Sequence, residues 1–276
     1  MAGGPRARAS SGVLGTALAG GGRRDVTRAL PEETPVAITV NGSTQAVMMA
    51  TPADIGDFAT GFALSEGIVA RVDQIESVEA VELPGGIEAR LWVAEALAEA
   101  LGARRRAMLG PVGCGLCGID SLAEAVRPLP EVLGGARFGR EELVRAAEAL
   151  RAHQPLHDLT RAVHGAGFVQ PGRGITHARE DVGRHNALDK LIGALAREGV
   201  AAASGAFVLT SRVSVDMVQK AAMAGAGTVL SVSAPTAHAL RLADAAGITI
   251  AAFARGDAVE VFSHPERITE CRSDVA

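Results

Sequence analysis

Ala206-Phe-Val-Leu-Thr210, Thr228-Val-Leu-Ser-Val232 and Ile248-Thr-Ile-Ala-Ala-Phe253 decide the fold. Each is an apolar run of strand length, and the segments 215–224 and 235–245 between them repeat apolar residues at helical spacing. Strand alternating with helix predicts an α/β architecture, a largely parallel or mixed sheet with flanking helices. Upstream the style differs. Val36, Ile38 and Val40 alternate into Asn41-Gly42, and 46–49 resume the apolar run, which signals a hairpin. Thr51-Pro52 offers an N-cap and a first-turn proline to a helix in which Ile55, Phe58, Ala59 and Phe62 recur until Gly67. Segments 78–83 and 87–93 flank Pro84-Gly85-Gly86 as a second hairpin. Residues 29–109 therefore read as a smaller α+β N-terminal lobe, and 110–276 as the α/β domain, which includes a charged helix over 141–152. Residues 1–28, where Gly, Ser and Thr dilute the apolar positions, read as a flexible tail. No internal repeat of fixed period is present.

Composition narrows the function. Of 276 residues, 48% are hydrophobic and 21% charged, enough to bury a core and too little charge for disorder. The net charge of −4 provides no broad basic face, which argues against nucleic-acid binding. Only Lys190 and Lys220 stand among the 27 basic residues, so a compact ammonium is used sparingly. The longest uncharged run, 221–240, is broken by Pro235, His238 and several hydroxyl residues, so no membrane span is expected. The opening segment lacks the clean apolar run of a secretory signal. Three cysteines, Cys114, Cys117 and Cys271, are too few and too odd in number for a secreted disulfide framework, so a reducing, cytoplasmic setting is expected.

Gly113-Cys114-Gly115-Leu116-Cys117-Gly118 sets two thiols three positions apart with glycines on every side. If Asp120 or Ser121 caps a following helix, its N-terminus favours a thiolate, the nucleophile that attacks the outer sulfur of a persulfide. Other readings stand beside this one. A zinc deaminase needs a His-x-Glu before its Cys-x-x-Cys, whereas the first histidine here is His153. A structural zinc site needs two further ligands, drawn from Cys271 and the histidines. The same loop fits G-x-G-x-x-G, yet the preceding Arg104-Arg105-Arg106 is no buried strand. Two buried structural cysteines in a glycine turn remain the plainest alternative.

Glu180-Asp181-Val182-Gly183-Arg184-His185-Asn186 precedes an apolar helical stripe, Leu188, Leu191, Ile192 and Leu195, with Asp189 and Lys190 between. Asp181 reads as the N-cap, and Arg184 and His185 sit where a phosphate would also use helix N–H groups. A capped helix with a solvated first turn is the competing account. Lys220, near the end of the 215–224 helix, suits that helix's negative C-terminal end.

Val40-Asn41-Gly42, Thr51-Pro52-x-Asp54, Gly61-Phe62-x-x-Ser65-Glu66-Gly67-Ile68, the cysteine loop, Glu180 to Lys190, Ser233-Ala234-Pro235-Thr236 and Phe253-x-Arg255-Gly256 occur in an order that resembles the formate dehydrogenase accessory sulfurtransferases, the FdhD family. The resemblance covers about 32–268. It implies a cytidine-deaminase-like mixed sheet and a homodimer. It also implies a sulfur carrier with a cysteine persulfide intermediate, loaded by a cysteine desulfurase. The recipient would be a molybdenum bis(molybdopterin guanine dinucleotide) cofactor, held as bound substrate before insertion into the catalytic subunit of a formate dehydrogenase, with no tightly bound metal of its own. Cys114 would bear the persulfide and Cys117 would assist. Phe253, Ala254, Arg255, Gly256, Asp257 and Ala258 would match the cofactor-binding stretch, joined by Arg184, His185, Asn186, Lys190, Ser233 and Thr236. Ser233 and Thr236 serve equally as caps of the next helix. A non-catalytic cofactor chaperone with structural cysteines is the alternative function. The chain departs from the family at Thr160-Arg161-Ala162-Val163-His164 and Thr210-Ser211-Arg212, where glycines are usual.

Overall fold

The computed structural model describes residues 8–108 and 129–269. It opens with β1 (Ser10–Ala19) and β2 (Gly22–Pro31), an antiparallel ribbon paired along its whole length. This corrects the expectation of a flexible tail through residue 28. Gly20 and Gly21 both adopt positive φ, 58° and 79°, the conformation a two-residue hairpin turn requires, and the intervening Gly and Ser residues had masked the strand alternation.

The small lobe follows. β3 (Thr34–Val40) and β4 (Ser43–Ala50) pair around Asn41-Gly42, again with both turn residues at positive φ. Then come α1 (Ile55–Ser65), β5 (Ile75–Leu83), β6 (Gly86–Val93) and α2 (Glu95–Met108). The sheet order is β4-β3-β6-β5, with β3 and β6 parallel. One face buries Val36, Ile38, Ala89 and Leu91 against Phe58 and Ala59 of α1. Helix α1 starts at Ile55, later than Thr51-Pro52 suggested, with Asp54 before it in the left-handed region. Thr51 is otherwise engaged, as shown below.

The large lobe contains β7 (Phe138–Gly139), α3 (Arg140–Ala149), α4 (Pro155–Thr160), β8 (His164–Gln170), β9 (Gly174–Asp181), α5 (Arg184–Arg197), β10 (Ala206–Leu209), α6 (Val215–Ala224), β11 (Thr228–Ser231), α7 (Ala237–Ala245), β12 (Thr249–Arg255), β13 (Ala258–Ser263) and β14 (Ile268–Thr269). Its six-stranded sheet has the order β13-β12-β11-β10-β8-β9. Strands β10, β11 and β12 are parallel and the flanking pairs antiparallel, so the expected mixed α/β architecture is present. A core of Phe168, Leu188, Leu191, Phe207, Met217 and Val229 joins the sheet to α5 and α6. A second layer, with Leu143 and Leu150 against Val208 and Leu230, covers the sheet with α3.

Helices α1 and α5 cross in backbone contact. A Cβ on Gly61 would lie 1.7 Å from the Asp189 carbonyl oxygen, and one on Gly193 would lie 1.9 Å from that of Asp57. Only glycine allows this approach at either position.

Candidate functional site

Because β10, β11 and β12 run in parallel, the loops after them emerge on one edge of the sheet. Antiparallel β8 begins on that edge, its Ala166 opposite Leu209, so His164 joins them. Open α/β sheets place ligands at this carboxyl end. The loops are laced together. Val213 N–H donates to the Ala234 carbonyl (3.2 Å), Thr236 N–H to that of Val213 (3.0 Å), and Phe253 N–H to that of Ser233 (3.3 Å). Buried Ser231 adds a bond from its Oγ to the Ser211 carbonyl (2.6 Å) and accepts Ser233 N–H.

The stretch 253–258 ends β12 and turns into β13. Gly256, at φ 59°, and Asp257 form the two-residue turn between paired Arg255 and Ala258. The Asp257 carbonyl accepts a bond from Arg140 Nη1 at 2.7 Å. Ala254 is buried, whereas Arg255 projects into solvent. Phe253 lies at φ 53° and is 43% exposed, with its ring tilted against Phe262 at 6.1 Å. An aromatic residue in the left-handed region is costly, by roughly 1–3 kcal/mol, and such strain concentrates at functional sites. Ser233 lines the loop beside it. Thr236 caps α7, its Oγ1 accepting Ala239 N–H at 3.2 Å, so the capping role foreseen for it is present.

At the mouth of α5, Arg184 and His185 stand on the same edge. His185 Nε2 is 3.4 Å from Asp216 Oδ2, in the first turn of α6, without hydrogen-bond alignment. The interaction with His185 is the main reason the Asp216 carboxyl lies below its usual range. Arg184 Nε, His185 Nε2 and Ser214 Oγ are each shielded from solvent and lack a hydrogen-bond partner. Buried polar atoms of this kind are normally satisfied, so Arg184 Nε and Ser214 Oγ are short of partners, while His185 has the Asp216 carboxylate at ion-pair distance. His164 is held below the ordinary histidine range, first by burial and then by the neighbouring charges of Arg184, His157 and His185, with Asp181 opposing.

Asn186 and Lys190 point inward instead. Lys190, with no exposed surface, places Nζ 2.6 Å from Asp181 Oδ2 and 2.9 Å from the Thr51 carbonyl. Asn186 Nδ2 donates to the Met49 carbonyl and to Asp181 Oδ1. Asp181 also accepts the N–H groups of Thr51 and Gly183. The expected N-cap is therefore a corrected reading: Gly183 occupies that position, and Asp181 is the hub of a bonded seam between the lobes. Lys190 and Asn186 hold the α5 mouth in place and do not reach the edge surface.

The second lysine has a matching role. Lys220 Nζ contacts Asp189 Oδ2 (2.9 Å), Glu66 Oε1 (2.8 Å) and Ser65 Oγ (3.0 Å), rather than serving the end of its helix. Burial alone would lower the Lys220 pKa, but Asp189 and Glu66 outweigh it and hold the ammonium charged. The scarcity of lysine was the sequence signal for both seams, while Asp216, Ser214 and His157 carried none. Cys114 and Cys117 lie outside the described residues, as does the helix expected after Asp120. Among the described residues no cluster of metal-binding side chains occurs, and no helix is long and apolar enough to cross a membrane.

Comparison with known proteins decides the lineage. The model of the FdhD/NarQ family matches residues 31–269. The chain belongs to the FdhD/NarQ family. Family members similar to it include the "Sulfur carrier protein FdhD" of Agrobacterium fabrum, 49% identical over 93% of this chain and 95% of that protein. The protein of the same name from Brucella abortus is 50% identical over 90% and 93%. The crystal structure of a proposed formate dehydrogenase accessory protein from Desulfotalea psychrophila superposes with a TM-score of 0.76 at 26% identity, covering 95% of this chain and 100% of that one. The FdhD/NarQ match begins at residue 31, so β1 and nearly all of β2 fall outside it.

Proposed function

We propose that this protein carries sulfur during formate dehydrogenase maturation, taking it from a cysteine desulfurase and passing it to a molybdenum bis(molybdopterin guanine dinucleotide) cofactor destined for the dehydrogenase catalytic subunit. The cofactor is a substrate here, not a resident group. The observation that carries the reading is the sheet edge: a strained Phe253, the Arg255-Gly256-Asp257 turn, and the unbonded Arg184 Nε beside the His185–Asp216 pair converge on one rim. A phosphate would supply the acceptor that Arg184 Nε lacks, and a guanidinium holds it through charge-assisted bonds. Names of the similar proteins support the sulfur-carrier half.

In this reading Cys114 Sγ attacks the outer sulfur of the desulfurase persulfide, the donor's S–S bond breaks, and the donor thiolate leaves. Cys114 then bears the persulfide, and Cys117 is the assisting thiol. The reducing cytoplasm keeps both thiols available. The deaminase-like character of the large lobe belongs to the same proposal.

Intact mass measurement after incubation with a cysteine desulfurase and cysteine tests it. The wild type should gain one sulfur atom, and Cys114→Ala should lose that gain together with dehydrogenase maturation. Loss of loading in Cys117→Ala alone would exchange the two roles. Full maturation by the double variant would reject sulfur transfer and leave a cofactor chaperone with structural cysteines.

A further inference from the structure

Pairing geometry fixes which backbone groups of the β1–β2 ribbon face outward. Glu32 N–H donates to the Ala9 carbonyl (2.9 Å), and the register continues from there with Ser10 opposite Pro31. Hydrogen-bonded and non-hydrogen-bonded pairs alternate in an antiparallel ladder, so Ala9 and every second residue after it bond to β2. Gly12, Leu14, Thr16 and Leu18 therefore turn both N–H and C=O away from the ladder. Pro31, which has no N–H, falls at a position that needs none. All four outward residues of β1 are exposed, and among the described residues no further strand pairs with β1.

The two edges of the ribbon are finished differently. Strand β2 has Arg23, Asp25 and Pro31 at outward positions, and it contacts α4, with Val26 and Ala29 half-buried. Charge and proline at such positions blunt a free edge. Strand β1 has neither. Its ten residues, Ser10–Ala19, contain no charged residue and no proline, and Leu14 and Leu18 are 81% and 78% exposed. An unblunted edge of this length is a template for one more strand.

Charge says what kind of strand. Arg8, Arg23, Arg24 and Arg28 outnumber Asp25 by three between residues 8 and 31, in a chain of net charge −4. A second copy of β1 would bring the same arginines together, whereas an acidic strand would meet them. Two strand spacings are about 10 Å, a gap that an arginine on β2 and a glutamate on a third strand close between them.

We propose that β1 is a docking strand for an extended, acidic segment of a partner protein. The segment pairs with the outward groups of Gly12, Leu14, Thr16 and Leu18, as in strand addition to an open edge. Backbone pairing supplies affinity, and the arginines select the sign of the guest's charge. Helix α4 ties the dock to the sheet edge, since β2 contacts it and Glu180 accepts the N–H groups of Leu156 and His157. A partner captured on β1 is thereby held close to the rim.

A fluorescein-labelled peptide of alternating valine and glutamate, titrated against the full chain by fluorescence anisotropy, tests this. No sulfur chemistry is involved, so the outcome stands apart from that of persulfide loading. The wild type should bind this peptide at least ~10-fold more tightly than its valine–lysine counterpart, and Arg24→Glu with Arg28→Glu should reverse the preference. Thr16→Pro removes an outward N–H, leaves the bonds to β2, and should abolish binding. Hydrogen exchange in the wild type decides even if that variant misfolds. On peptide addition the amides of Gly12, Leu14, Thr16 and Leu18 should slow, and those of Val13, Gly15 and Ala17, already bonded to β2, should not change. Binding without that alternation places the peptide elsewhere and overturns the proposal, as does equal affinity for both peptides or no binding. Slowing of the same four amides with rising protein concentration, in the absence of peptide, would give the edge to a second copy and overturn it too.

Discussion

Lys190 Nζ and Asp181 Oδ2 meet 2.6 Å apart with neither side chain exposed, joining α5 to the end of β9 beneath the sheet edge. Removing one member of such a pair strands the other charge. Lys190→Met should cost about 3–5 kcal/mol of stability in urea unfolding. Adding Asp181→Asn should recover part of that loss, because the remaining group is then neutral. A single variant as stable as wild type would show that the pair contributes nothing.

Lys220 and Asp189 predict a pH dependence. Burial pushes the Asp189 carboxyl up, and Lys220 is the principal opposing influence. In Lys220→Met the folded pKa of Asp189 should rise further above its unfolded value. A raised carboxyl pKa means that the folded state holds the proton more tightly, so its contribution is present at low pH and lost as pH rises through the folded pKa. The variant should therefore lose less thermal stability, relative to wild type, under mildly acidic conditions than at neutral pH. Equal deficits at both would contradict the assignment.

Gly61→Ala places a methyl group inside the path of the α5 backbone, where no rotamer relieves it. The expected outcome is little folded protein, read as loss of cooperative melting and of soluble yield. Gly256→Ala, in contrast, meets nothing within 4 Å and pays only for its positive φ, a loss of about 1 kcal/mol.

Arg255 and Asn186 separate binding from scaffolding. Arg255→Ala should weaken guanine nucleotide binding in calorimetric titration by about 10-fold, through one lost charge-assisted contact, with an unchanged melting curve. Asn186→Ala removes bonds to Met49 and Asp181 and should destabilise the chain by about 1–3 kcal/mol. A stable Asn186→Ala that loses nucleotide affinity would move Asn186 to the binding surface.

Local chemistry made much of the architecture legible. Asn41-Gly42 announced its hairpin, and the runs at Ala206, Thr228 and Ile248 announced the parallel strands, because turn conformation and period are written in neighbouring residues. The roles of Asp181 and Lys220 were not legible in the same way. Asp181, two residues before Gly183, has the local marks of a cap, and its true partners, Thr51 and Lys190, lie 130 residues before it and nine residues after it. The left-handed Phe253 was equally hidden, since strain imposed by a bulge and by the Ser233 carbonyl leaves no trace in composition.

The glycine crossing of α1 and α5 has a mechanical consequence. Two backbones in direct contact, flanked by two buried ion pairs, leave no lubricating layer of side chains along which the lobes could slide or hinge. In the proposed sulfur transfer the molecule would therefore meet its donor and its recipient as a stiff block, and any gating of cargo would fall to the loops at the sheet's rim.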